Sequence, residues 1–121
     1  MAKVLGIHTI TLRPDVSEAD FERYILEEYL SSLPHFPGWK GQLLKGDRGE
    51  RAGQYILVFE IDSVETRNQY YPAQGQMSEE AQAFVQGLSS EAKAILDKWN
   101  TYLGENDIHT DYIEVTGEAG S

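Results

Sequence analysis

Three histidines, His8, His35 and His109, stand out for their chemistry in this 121-residue chain. An imidazole is the side chain best suited to take up and release a proton near neutral pH. His8 is the leading candidate base. It sits in Ile7-His8-Thr9, inside an alternating stretch, and shares a face with Val4, Ile10 and Leu12. A neutral imidazole on such a face can accept a proton from a phenol or an activated methylene. Its candidate partners are Glu60, which shares a face with Ile56 and Val58, and the tyrosines Tyr24, Tyr29, Tyr70 and Tyr71. A carboxylate in so apolar a row is costly unless it is paired. The competing reading of His8 is a packed histidine bonded to one hydroxyl. His109 and Asp111 also share a strand face, either as a base with its orienting carboxylate or as an exposed polar surface. The second reading is preferred, because a metal centre needs several convergent ligands and no two histidines have helical pair spacing. Trp39 with Tyr70 and Tyr71 can line the mouth of an aromatic pocket or simply pack in the core.

The elements that must position these residues follow from periodicity. Lys3 to Leu12 alternates as a strand that stops at Arg13-Pro14. Ser17 opens a helix, with Glu18 and Asp20 suited to its positive end. Phe21, Ile25, Tyr29 and Leu33 recur every fourth residue, with Leu26 and Leu30 beside them. Pro34 ends that helix. Trp39 to Lys45 and Tyr55 to Ile61 read as an antiparallel hairpin around the glycine-rich loop Gly46 to Gly53. That loop lacks the following helix of a phosphate cradle, so it reads as a hairpin tip. Ser63 caps a short helix to Tyr70. Ser78 caps the next, which Gly87-Leu88-Ser89-Ser90 kinks or divides. Gly104 fits a helix C-cap. Ile108 to Val115 is the last strand.

The order β-α-β-β-α-β with one extra short helix predicts an α+β, ferredoxin-like fold, with both main helices on one face of a four-stranded antiparallel sheet. One domain over residues 1–116, with a flexible tail at 117–121, fits the length.

Composition narrows the partners. The net charge of −10 repels phosphate backbones, which argues against nucleic-acid binding. The absence of cysteine excludes disulfides, thiolate nucleophiles and cysteine-held metals. The N-terminal run lacks a signal-peptide pattern, and no window approaches the roughly 20 apolar residues of a membrane span. A cytoplasmic protein without membrane, metal or organic cofactor is the expectation.

Both faces of the first and third strands are apolar, whereas a sheet face left in water should be polar. This chain has no spare element to cover the second face. A second copy, packed sheet to sheet as a two-fold homodimer, is the expected cover.

These features resemble the dimeric α+β barrel superfamily, and most of all its EthD-like and stress-responsive A/B-barrel branches. The likeness runs from Val4 to Val115. It is carried by Ile7-His8-Thr9, Phe21-Glu22 with Tyr24 and Glu27, Pro37-Gly38, Phe59-Glu60, Ser63-Val64-Glu65-Thr66 and Tyr71-Pro72-Ala73. The resemblance implies homodimers whose sheets pack together, with a cavity between sheet and helices in each protomer. Superfamily members include cofactor-free monooxygenases, polyketide cyclases, haem-degrading and haem-binding enzymes and lactone isomerases. His8 falls where A/B-barrel cyclases carry a catalytic histidine. Gln74 falls where such cyclases have a second histidine, and this departure argues against identical cyclase chemistry. Tyr29 and Ser31 stand where EthD-like proteins often carry a histidine and a proline. Neither long helix contains the histidine that the haem-degrading branch uses as iron ligand.

Three functional expectations follow. The first is a homodimer binding an aromatic or polyketide-like small molecule, as a cofactor-independent monooxygenase or cyclase with His8 as base. Glu60 is its partner, and Tyr29, Trp39, Tyr70, Tyr71 and Gln74 line the pocket. The second is a non-enzymatic ligand-binding or stress-related dimer. The third is a haem-binding protein.

Overall fold

Strict alternation builds the sheet. The computed structural model describes residues 2–104 and 108–115. Strand β1 spans Val4–Ile10, β2 Trp39–Lys45, β3 Tyr55–Ile61 and β4 Ile108–Ile113. They form one four-stranded sheet in the order β2-β3-β1-β4. Every neighbouring pair is antiparallel. This is the predicted ferredoxin-like α+β arrangement. In register, His8 lies opposite Leu57 on one side and His109 on the other. One face, the inner one, therefore carries Val4, Gly6, His8, Ile10, Leu57, Phe59, His109 and Asp111. The predicted tail at 117–121 lies outside the described residues.

The helices cover only that inner face. Ser17 accepts the Asp20 amide at 3.0 Å and starts α1, Glu18–Arg23. Phe21, Ile25 and Leu33 of the predicted stripe are buried and Tyr29 packs against the core, but the helix changes its winding. From Tyr24 to Tyr29 the chain winds as a π-helix, with the Leu30 amide donating to the Ile25 carbonyl at 2.8 Å. The Ser31 and Ser32 hydroxyls donate to the Leu26 and Glu27 carbonyls, also five residues back. Wider turns rotate the following side chains away from an α-helical stripe. Tyr24 thus becomes buried beside Phe21 and Ile25, while Leu26, expected in the stripe, is 50% exposed. The Tyr24 hydroxyl donates to the Ile95 carbonyl at 2.5 Å, and its burial raises the hydroxyl pKa.

Three further helices follow the hairpin: α2, Val64–Tyr70, α3, Glu79–Gln86, and α4, Ser90–Tyr102. Ser63, Ser78 and Ser89 cap them by accepting the amides of Thr66, Ala81 and Ala92. Of the two outcomes expected at Gly87-Leu88-Ser89-Ser90, a kink or a division, the structure shows the division, with α3 ending at Gln86 and α4 starting at Ser90. Gly104 is not a left-handed cap. Leu103 leaves α4 in an extended conformation and bridges Leu12, and the Gly104 amide donates to the Thr11 carbonyl at 2.8 Å. Pairing with the end of the first strand's segment meets these backbone groups instead.

Helices and sheet meet closely at Gly41. A Cβ there would stand 2.5 Å from Leu30 Cδ2 and 3.0 Å from Phe59 Cε1. The core joins Ile10, Leu57 and Phe59 of the sheet to Phe21, Tyr24 and Ile25 of the first helix and Leu103 after the last. The outer face is different. Leu5, Leu44, Ile108 and Tyr112 are 39%, 41%, 64% and 53% exposed, with Ile7, Ile56 and Val58 partly exposed between them. No helix among the described residues is long and apolar enough to cross a membrane.

Candidate functional site

Beyond the core cluster, the inner face and the helices diverge around a cavity of about 700 Å³. Its wall is largely aromatic, with Tyr29 from the π segment, Phe36 and Trp39 from the turn into β2, Phe59 from β3, Tyr71 after α2 and Phe84 from α3. These rings support one another. Phe36 and Trp39 meet edge to face at 5.3 Å, and Phe36 meets Phe84 at 4.8 Å. Burial raises the Tyr71 hydroxyl pKa. Two nitrogens in this wall, His35 Nε2 and Trp39 Nε1, are closed off from solvent and have no hydrogen-bond partner among the described residues. An indole N–H only donates, and leaving such a group unmet costs about 1–3 kcal/mol.

The other end of the cavity is polar. The rings of His8 and His109 stack at 4.2 Å with an interplanar angle of 6°. Phe59 meets His8 edge on at 6.1 Å. His109 Nε2 lies 2.8 Å from Asp111 Oδ1, and the Arg67 guanidinium reaches Asp111 Oδ2 at 3.2 Å. Gly6 forms the floor beneath that pair. A Cβ there would stand 3.0 Å from Asp111 Oδ1 and 3.4 Å from His109 Nε2. An imidazole fixed by a carboxylate beside an aromatic wall can move protons on a small aromatic molecule. Among the described residues, no group of three histidine, aspartate or glutamate side chains converges as a metal site would.

The structure brings His8, Tyr29, Trp39, Tyr71 and Gln74 together around this cavity. It does not bring Tyr70 there. Tyr70 is buried behind the wall, stacked on Phe36 at 4.3 Å. Glu60 is not the partner of His8. It pairs in register with Leu5, on the outer face, where the Lys3 ammonium binds it at 2.8 Å and lowers its pKa. Its row with Ile56 and Val58 is the outward one, so the expected link across to His8 is sterically impossible.

Sequence reasoning undervalued His109 and Asp111 and overlooked Arg67. Their shared strand face was the available signal. The pairing of β4 with β1, which sets His109 beside His8, is a long-range fact. Arg67 comes from a helix on the opposite wall.

No protein-family model matches the sequence, and no curated protein matches it significantly. Solved structures do resemble it. A dimeric protein of unknown function with a ferredoxin-like fold from Bacteroides fragilis has a TM-score of 0.51 at 17% identity, covering 91% of this chain and 94% of its own. A DABB family protein with a ferredoxin-like fold from Mesorhizobium loti has a TM-score of 0.55 at 12% identity, covering 96% and 100%. An uncharacterized NIPSNAP-like domain protein from Burkholderia xenovorans has a TM-score of 0.57 at 12% identity, covering 98% and 89%. At such identities the likeness establishes the fold. This chain has a ferredoxin-like α+β fold.

Proposed function

We propose that this chain forms a homodimer through its outer sheet face, and that each protomer binds a small aromatic or polyketide-like molecule and takes a proton from it. The observation that carries this reading is the aromatic cavity with the stacked His8–His109 pair at its polar end. Cavities of this size, apolar with a few convergent polar groups, are what small-molecule sites look like. An aromatic ligand would lie among Tyr29, Phe36, Trp39 and Phe59, with its acidic group toward the imidazoles. On deprotonation of a phenol or activated methylene, the proton passes to an imidazole nitrogen. The electron pair stays on the ligand as phenolate or enolate, near the Arg67 guanidinium.

The dimer reading rests on the apolar outer face. Each side chain buried there contributes about 1.5–3 kcal/mol. The Bacteroides fragilis structure of the same fold is described as dimeric.

The test is titration with a nitrophenol, followed through the indole N–H resonances of Trp39 and Trp99. Saturable movement of the Trp39 signal, with Trp99 little changed, is the expected result. Absence of any change up to millimolar nitrophenol would discard the cavity reading. Binding without proton transfer in any probe reaction would favour the non-enzymatic ligand-binding alternative.

A further inference from the structure

Resting on that reading, we infer that His109 is the member of the stacked pair that accepts the proton, and that Asp111, Arg67 and Gly6 are the residues that position it. An aspartate carboxylate accepts at both oxygens, so His109 donates Nε2–H to Oδ1 across 2.8 Å. In the neutral ring that leaves the lone pair on Nδ1, the basic atom. The carboxylate orients the ring and stabilises the imidazolium that forms on proton uptake. Asp111 is itself held. Arg67 reaches across from α2 to its second oxygen at 3.2 Å, and the side chains of Arg67 and Asp111 are only 23% and 26% exposed.

The sheet is shaped to fit this pair. Gly6 lies opposite Asp111 in register, and His8 lies opposite His109. The missing Cβ at Gly6 leaves room for the carboxylate and ring, as the 3.0 Å and 3.4 Å approaches show. The parallel His8 ring at 4.2 Å covers one side of His109 and limits its rotation. Arginine, aspartate, histidine and glycine thus come from three elements, α2, β4 and β1, to hold one ring.

The probe is a nitro-substituted benzisoxazole, a planar aromatic carbon acid. A base takes its ring C–H proton, the C–H electron pair completes a nitrile, and the N–O bond breaks. The oxygen leaves as a coloured cyano-nitrophenolate, so no co-reactant is needed. We expect the wild-type protein to speed this opening. His109→Ala should lose about a hundredfold of that acceleration and Asp111→Asn roughly tenfold, typical of losing a positioned base and its support. His8→Ala should lose less than His109→Ala. The reverse order, with His109→Ala near wild type and His8→Ala inert, overturns the assignment. So does a probe that binds without being opened faster than in buffer. Should His109→Ala fail to fold, side-chain histidine NMR on the wild type decides. An Nε2–H tautomer at His109 supports the inference, and an Nδ1–H or mixed tautomer overturns it. Failure of the wild type to bind the probe would instead overturn the cavity reading on which this inference rests.

Discussion

The rings of His8 and His109 lie parallel and 4.2 Å apart, one on β1 and the other directly opposite it on β4. Strand pairing alone brings them together. The same pairing sets Gly6 against Asp111, so one two-strand ladder supplies both imidazoles, the carboxylate and the space for all three.

Gly6→Ala tests that space. Gly6 does not have a positive φ, so alanine fits the local backbone. Its Cβ would press on Asp111 Oδ1 and His109 Nε2. A strand alanine in place of glycine gains about 0.4–1 kcal/mol where nothing is displaced. The expected outcome is a melting temperature within a few degrees of wild type, together with a shifted His109 side-chain spectrum. Opening of the benzisoxazole probe should slow roughly tenfold. An unchanged spectrum and rate would show that the dyad tolerates a methyl group there.

Ile7→Glu tests the dimer. Ile7 lies at the centre of the outer face, opposite Val58 and Thr110. A carboxylate buried between two sheets without a partner is strongly unfavourable. Light scattering behind a sizing column should give twice the chain mass for wild type and close to 13.6 kDa for the variant. Nitrophenol binding should survive, because the substitution faces away from the cavity.

Stability should fall on the alkaline side, and Tyr55 should account for part of the loss. Burial, then its bond to the Glu22 carboxylate, pushes the Tyr55 hydroxyl from 10.0 to about 12. The folded state therefore holds its proton where the unfolded chain has released it. That contribution is fully present below pH 10 and is lost as pH rises toward about 12. Burial raises Tyr24 as well, and ion pairs with Glu60 and Glu18 raise Lys3 and Lys45, so all of them act in the same direction. Urea unfolding across this range should be less steeply pH-dependent for Tyr55→Phe than for wild type. Equal slopes would remove Tyr55 from the account.

Tyr24→Phe removes the hydroxyl that ties the π segment to α4 through the Ile95 carbonyl. The ring stays, stacked on Tyr102 at 4.7 Å. The expected cost is about 0.5–1.5 kcal/mol in urea unfolding. A loss well beyond that would mean that the hydroxyl also holds the π geometry, which the Ser31 and Ser32 bonds otherwise support.

Much of the fold is legible residue by residue. Ser17, Ser63 and Ser78 each cap the helix expected of them, and the break falls in the expected Gly87-Leu88-Ser89-Ser90 stretch, where the structure adds Ser89 as the cap of α4. Tyr29, Trp39, Tyr71, Gln74 and His8 all reach the cavity wall. Glu60 and Tyr70 do not. Alternation puts Glu60 with Ile56 and Val58, but both faces of β3 are apolar, so alternation cannot say which one points inward. Tyr70 lies one residue before the cavity-lining Tyr71, and the end of α2 turns the two rings to different sides.

What the sequence determines by itself is local: strand alternation, helix caps, breaks, and the two apolar faces that call for cover on both sides of the sheet. These depend on neighbours a few residues apart. Tertiary structure alone decides the register of β4 against β1, the inward face of β3 and the crossing of Arg67 from α2 to Asp111. The π turn is decided there too, where Tyr24 displaces Leu26 from the core. Each is a contest between packings that look alike along the chain. Only the assembled sheet and helices, with their volumes and hydrogen bonds, separate them.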